Sequence, residues 1–315
     1  MKLVNIEEIE INRIVQLWNK CLGTSFPITE ELWVQNTVND INLQRTGSVA
    51  VVEDQELLGF VIAKQFKEIT PTLMSQEIGW IQCLLVKPEA RGKGVGRTLL
   101  QNAESSFQNV KEIRLGRDPW HYFPGVPLEQ PDTIKWFEYK GYTKDSIEID
   151  LVKRVVDENP FTLSNSKDHF RVLTKEDLPQ LLNFLNDVFP GRWHYEAYRY
   201  TQINSTGREF MGFFIDGELK GFCRMNDPES PMIAQNVYWS KLFSSPLGGI
   251  GPLGIDRAVR GSNFGLDLVK AAVNELMARG MHHIVIDWTQ LERFYGKLGF
   301  TKWKQYQTMS KGVKS

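Results

Sequence analysis

The stretch of this chain best equipped for chemistry is VKPEARGKGVG, residues 86–96, where an apolar run gives way to an Arg-Gly turn and then to a helical pattern. Its glycines let the backbone approach a ligand closely, and the first turn of the following helix offers unpaired N–H groups with partial positive charge. Together these features make a pyrophosphate site, with Arg91 and Lys93 adding charge to the cradle. A P-loop is excluded because GxxxxGK[ST] is absent, and a dinucleotide-binding turn because the spacing of GxGxxG after its strand is wrong. The turn alone leaves open a helix start whose glycines serve packing.

A second stretch, GRDPWHYFPGVP at 116–127, lies between a strand end and an aromatic helix. Functional residues concentrate on such loops, and Arg117, Asp118, His121 and Tyr122 among aromatics suit a polar, ring-like substrate. Asp118 and His121 are candidates for a base or for orienting the substrate, and Tyr122 for an acid. The same residues also fit a proline-pinned loop whose histidine satisfies a backbone carbonyl. His282 and His283 are adjacent on a strand and point to opposite faces, so no metal site is expected there. Asp287, closing that strand, reads as an exposed strand-end acid or as a base in the C-terminal half.

The elements that must position these residues are written twice. IQCLLVKPEARGKGVGRTLL at 81–100 is followed by EIRLGR and KWFEYKGY; IGPLGIDRAVRGSNFGLDLV at 250–269 is followed by HHIVIDW and RFYGKLGF. A gap-free offset of 169 places Gly265 on Gly96, Arg260 on Arg91 and Ile255 on Val86. Upstream, each half carries two helical patterns and then two apolar runs around an acidic turn, which predict a β-hairpin; Asp216-Gly217 is the second turn. Thr174 with Asp177 three residues on predicts a helix N-terminus. The fold class expected is therefore α/β, a mixed sheet flanked by helices, in two copies at 1–157 and 168–315 joined by the polar segment DENPFTLSNSKD.

Composition agrees with two domains in 315 residues. With 37 basic against 38 acidic side chains and a net charge of −1, no global field draws nucleic acid or an anionic membrane. Cys21, Cys83 and Cys223 lie far apart and support neither a disulfide framework nor a thiolate metal site, so a reducing cytoplasm is expected. The start carries acids where a signal peptide needs an apolar core, and no run reaches the roughly 18 apolar residues of a membrane span.

The R-G-K-G-V-G turn after a V-K-P strand end, together with the later F-Y-G-K-L-G-F helix, resembles the GNAT superfamily of acyl-CoA-dependent N-acyltransferases, and the resemblance covers both halves. It implies a tandem GNAT protein with acetyl-CoA as cosubstrate. By match of motif, the pyrophosphate would meet Arg91, Gly92, Lys93, Gly94, Val95, Gly96 and the adjoining Arg97. Pantetheine would pair with Leu84, Leu85 and Val86 on a splayed strand.

The two copies differ. The second turn has Asn263 where the first has Gly94, and an asparagine side chain intrudes where phosphate belongs. Tyr295 matches the family's acid that protonates the departing thiolate, whereas the first half has Phe137 there; Tyr139 lies about 200° further around the helix. Many family members carry a Glu base on the strand before the turn. Here that position is Gln82, and Glu77 upstream is the acid that would act through water. The loop at 116–127 is similar to one in acetyltransferase modules fused to microbial β-N-acetylglucosaminidases, which implies an amino sugar. The expected activity is acetyl transfer to the primary amine of a small molecule, in the N-terminal half, by direct attack and without metal. A non-catalytic acyl-CoA-binding sensor or scaffold is the competing expectation.

Overall fold

The computed structural model describes residues 1–313, which divide between two compact units. The first contains residues 1–69, 75–148 and the chain from 305 onward; the second contains 70–74 and 149–304. These are not the linear blocks 1–157 and 168–315 drawn from the sequence, because the last strand of each repeat runs from one unit into the other.

In the first unit the sheet begins with β1 (Lys2–Asn5), β2 (Val49–Glu53), β3 (Glu56–Gln65) and β4 (Ile78–Val86), each antiparallel to the next. β5 (Glu112–Leu115) then joins β4 in parallel. β3 reads ELLGFVIAKQ, an almost unbroken apolar run, because helices cover both of its faces. One face receives α3 (Val95–Ser106), whose Val95, Leu99, Leu100 and Ala103 recur at helical spacing and bury against Val61, Ala63 and Ile81. α4 (Pro131–Tyr139) adds Ile134 and Phe137 to the same core. The other face receives α1 (Ile11–Leu22) and the short α2 (Glu30–Trp33). There Trp18 lies 4.9 Å from the Tyr122 ring and Trp33 meets Phe60 edge-on at 5.4 Å.

The far edge of this sheet is completed by a distant part of the chain. β13 (Thr301–Gly312) pairs with β5 through Ser310, Lys311 and Gly312, and with the two-residue β6 (Val126–Pro127) through Tyr306 and Gln307. β7 (Thr143–Arg154) makes the converse move: it starts in the first unit, and from Ile149 to Arg154 it pairs with β12 (His283–Thr289) in the second. Both exchanged strands have 12 residues, about twice the usual strand, which is long enough to run from one unit into the other.

The second unit repeats the plan with β8 (Phe170–Val172), β9 (Phe210–Ile215), β10 (Glu218–Asn226) and β11 (Leu247–Ile255) antiparallel and β12 parallel to β11. The Asp216-Gly217 turn joins β9 to β10 with both residues at positive φ, 50° and 79°, as a twisted hairpin requires. α5 (Leu178–Val188) begins just after Thr174, whose backbone N–H is capped by Asp177 at 2.8 Å. α6 (Arg192–Gln202), α7 (Phe264–Ala278) and α8 (Glu292–Gly296) complete the unit.

Candidate active site

β4 and β5 stay paired only from Ile78 to Ile81, and the last bond between them runs from Gly116 N to Ile81 O at 2.8 Å. Beyond it they diverge. The register against β3 jumps from Ala63↔Ile81 to Ile62↔Cys83, so Gln82 is the extra residue of a β-bulge at the point of divergence. The gap is a cleft of about 420 Å³, walled by residues 81–86 on one side, by Leu115, Gly116 and Phe123 on the other, and by Trp136 and Phe137 of α4.

The cleft runs to the start of α3. Gly92 and Gly94 have φ of 76° and 89°, and Gly94 is the residue that opens the helix. That conformation explains the glycines, and a Cβ added to either would meet nothing within 4 Å, so their outer side is open to a ligand. Behind them lie the amides of the first turn of α3, an arrangement that can receive an anion. Arg91 folds back so that its Nε donates to Val86 O at 3.2 Å, ordering the cationic rim against the end of β4. Leu84, Leu85, Val86, Arg91, Gly92, Gly94, Gly96 and Arg97 all line the cleft. Lys93 is exposed outside the lining, and the Val95 side chain is buried in the core, leaving only its backbone to face a ligand.

The polar loop is placed differently from expectation. Asp118 is fully buried, accepts from Lys64 Nζ at 2.9 Å and from Gln82 Nε2 at 3.2 Å, and does not line the cleft. Lys64, itself without exposure, also forms an ion pair with Asp40 at 2.7 Å. Burial alone would lower its pKa, but the two carboxylates outweigh that and hold it above the ordinary lysine value. His121 Nδ1 lies 3.1 Å from the Asp118 carbonyl oxygen, as a turn-closing histidine would. Tyr122 lies against Trp33, with parallel rings 6.2 Å apart, and its hydroxyl meets Thr37 at 3.2 Å. The loop thus brings Asp118, His121 and Tyr122 together as an internal support. Glu77 lies five residues before Gln82, about 16 Å along an extended chain. It is exposed, ion-paired with Lys111 at 2.6 Å and outside the cleft lining. The polar side chain at the bulge is Gln82; the sequence showed only that it cannot act as a base.

In the second unit β11 and β12 also part after Ile250, with a bulge at 251–252. Here the bulge is spent on the protein's own structure. Pro252 has no N–H to offer, and the Gly251 carbonyl is taken by Arg224 Nε at 2.9 Å, with the Arg224 charge met by Glu196 at 2.8 Å. Asn263 does adopt the left-handed conformation, φ 60°, and opens α7 as Gly94 opens α3. In the first turn of α7, however, lies the buried carboxylate of Asp267, accepting from the backbone N–H groups of Ser164 and Asn165 at 2.9 and 2.8 Å. Burial pushes its pKa up, but these bonds and the Lys270 ammonium at 3.1 Å outweigh burial and leave it below the usual range. Tyr295 packs in the core beside Phe294, rings 4.9 Å apart, and burial pushes its phenol well above the normal tyrosine range. Asp287 is half-buried, and burial, opposed by Arg224, lifts its carboxyl to about 6.

Among the described residues no group of three or more His, Cys, Asp or Glu side chains is arranged to hold a metal ion, and no helix is long and apolar enough to cross a membrane.

The model of the acetyltransferase (GNAT) family matches residues 11–121 and again 178–300. No curated protein matches the chain. Among solved structures, a GCN5-related glucosamine N-acetyltransferase region of a fungal multi-domain GH3 β-N-acetylglucosaminidase superposes with a TM-score of 0.84 at 20% identity. The match covers 98% of this chain and 38% of that one. A GCN5-related N-acetyltransferase from Sphaerobacter thermophilus gives 0.72 at 15% identity over 100% and 96% of the two chains. A tandem GNAT protein from the clavulanic acid biosynthesis pathway gives 0.66 at 13% over 100% and 99%.

Proposed function

The chain belongs to the acetyltransferase (GNAT) family as a tandem of two such folds, and from that premise we propose that it is an acetyl-CoA-dependent N-acetyltransferase acting on the primary amine of a small molecule, with the cofactor in the cleft of the first unit. The observation that carries this reading is the continuity of the cleft. An unpaired strand edge at Leu84, Leu85 and Val86 leads directly to the open glycine turn at the start of α3. The edge suits the amides of a pantetheine arm and the turn suits a pyrophosphate; in the second unit the bulge carries Pro252, its Gly251 carbonyl is taken by Arg224, and Asn263 stands where the first turn has Gly94.

When bound, acetyl-CoA would supply an activated acyl group as a thioester. The chain's part is to orient it. Amides of the α3 turn would fix the phosphates, the β4 edge would align the arm, and a β4 N–H would meet the developing oxyanion. No tyrosine and no histidine line this cleft, and Phe137 occupies the place of the family's acid. A thiol ionises near pH 8.5, so a leaving thiolate needs only modest help at neutral pH. One structure to which the chain is similar is a glucosamine N-acetyltransferase region, which makes amino sugars the first acceptor class to test.

The test is release of free CoA thiol with amino sugars, polyamines and amino acids, alongside titration with acetyl-CoA. Turnover on an amine supports the reading. Tight acetyl-CoA binding without turnover on any amine would establish instead the acyl-CoA sensor, which the lack of a lining tyrosine favours.

A further inference from the structure

We propose that Gln82 is the residue that receives the acceptor amine, through its side-chain oxygen. The inference rests on the acetyltransferase reading above and deepens it.

The carboxamide of Gln82 cannot turn freely. Its Nε2 faces three acceptors: Trp120 O at 2.9 Å, Asp118 Oδ2 at 3.2 Å and Asn36 O at 3.3 Å. Reversing the amide would set an oxygen against three oxygens, one of them charged, so the nitrogen must point inward. Asp118 is in turn locked by Lys64. The oxygen that remains, Oε1, is buried and meets no donor among the described residues, although Gln82 lines the cleft. Buried polar atoms without a partner are rare, and this one lies at a bulge, where strands re-aim side chains beside active sites.

Such an oxygen requires a ligand with an N–H or O–H. The thioester has only acceptor atoms, and the pantetheine N–H groups of the same cosubstrate are assigned to the β4 edge at Leu84, Leu85 and Val86; an amine can donate one N–H and keep its lone pair for the acyl carbon. Charge agrees, since Asp40 and Asp118 against Lys64 leave one formal negative charge behind the amide, which favours a polarised N–H in front of it. The same surroundings explain why the residue is glutamine: a glutamate here would face the Asp118 carboxylate and two carbonyls with no donor.

The experiment compares the wild type with Gln82→Met, which keeps length and loses both polar ends. Steady-state kinetics on the best amine, acetyl-CoA titration, and amine titration of the CoA-bound protein are measured on each. The expected result is an amine KM and amine Kd raised about tenfold, the worth of one lost hydrogen bond, with acetyl-CoA Kd unchanged. An unchanged amine KM and Kd in an active enzyme overturns the proposal and leaves the acetyltransferase reading intact. A wild type that binds acetyl-CoA but neither turns over nor binds any amine overturns both. Should Gln82→Met fail to fold, Gln82→Asn withdraws the oxygen by one methylene and is expected to raise amine KM in the same way; unchanged KM in that variant overturns the proposal.

Discussion

Lys64 Nζ and Asp118 Oδ2 lie 2.9 Å apart with neither side chain exposed, and Asp40 closes the other side of the ammonium at 2.7 Å. Two segments far apart in sequence, the end of β3 and the loop after β5, are tied by this contact directly behind the cleft.

Removing the cation should therefore be severe. Lys64→Met leaves two buried carboxylates facing each other, and we expect a loss of about 3–5 kcal/mol in urea unfolding, the usual cost of orphaning a buried charge. A loss under about 1 kcal/mol would mean that the ion pair is hydrated in solution.

Gly94→Glu should abolish acetyl-CoA binding. The substitution forces a non-glycine residue to φ 89° and puts a carboxylate at the proposed phosphate position. Calorimetry on the wild type should give one acetyl-CoA per chain, and on the variant none. Two sites, or a variant that binds as the wild type does, would refute the assignment of the cofactor to the first unit.

Tyr295→Phe should leave kcat within about twofold, because the hydroxyl belongs to the core of the second unit and not to the first unit's cleft. A hundredfold fall would move the chemistry to the second unit.

Asp287 makes stability depend on pH in an unusual direction. Its folded carboxyl titrates at about 6, against about 3.9 for an unfolded aspartate. Between these values the folded state holds the extra proton. Its contribution is thus fully present below about pH 4 and is lost as pH rises through 6. Asp287→Asn, which mimics the neutral form, should raise Tm relative to wild type at pH 8 and not at pH 4. The same difference at both pH values would show that the carboxyl is not shifted.

Much of this molecule is legible locally. The Arg-Gly turn, the Asp216-Gly217 hairpin and the repeat at 169 residues are written in positive-φ requirements and in period-two and helical spacing, which depend on neighbours in the chain. The interior of the 116–127 loop is not. Tyr122 reads as a polar ligand until Trp18 and Trp33, some hundred positions earlier, are seen to enclose it. One signal was available: Lys64 stands at the end of an unbroken apolar run, and a lysine there demands buried carboxylates from elsewhere. The exchange of β7 and β13 left no comparable trace, because alternation along a strand says which face is buried and not which strand lies beside it.

That exchange also sets the order of events during synthesis. Arg117 donates to the Met309 carbonyl at 3.0 Å across 192 positions of chain, and Ile113 waits for Lys311. A ribosome that has finished the first repeat has therefore released a sheet whose last partner is not yet translated. Until residues 305–312 emerge, β5 is a bare edge open to any passing strand. Such distant pairing is slow to form, and the nascent protein is most exposed to aggregation while its second repeat is being made.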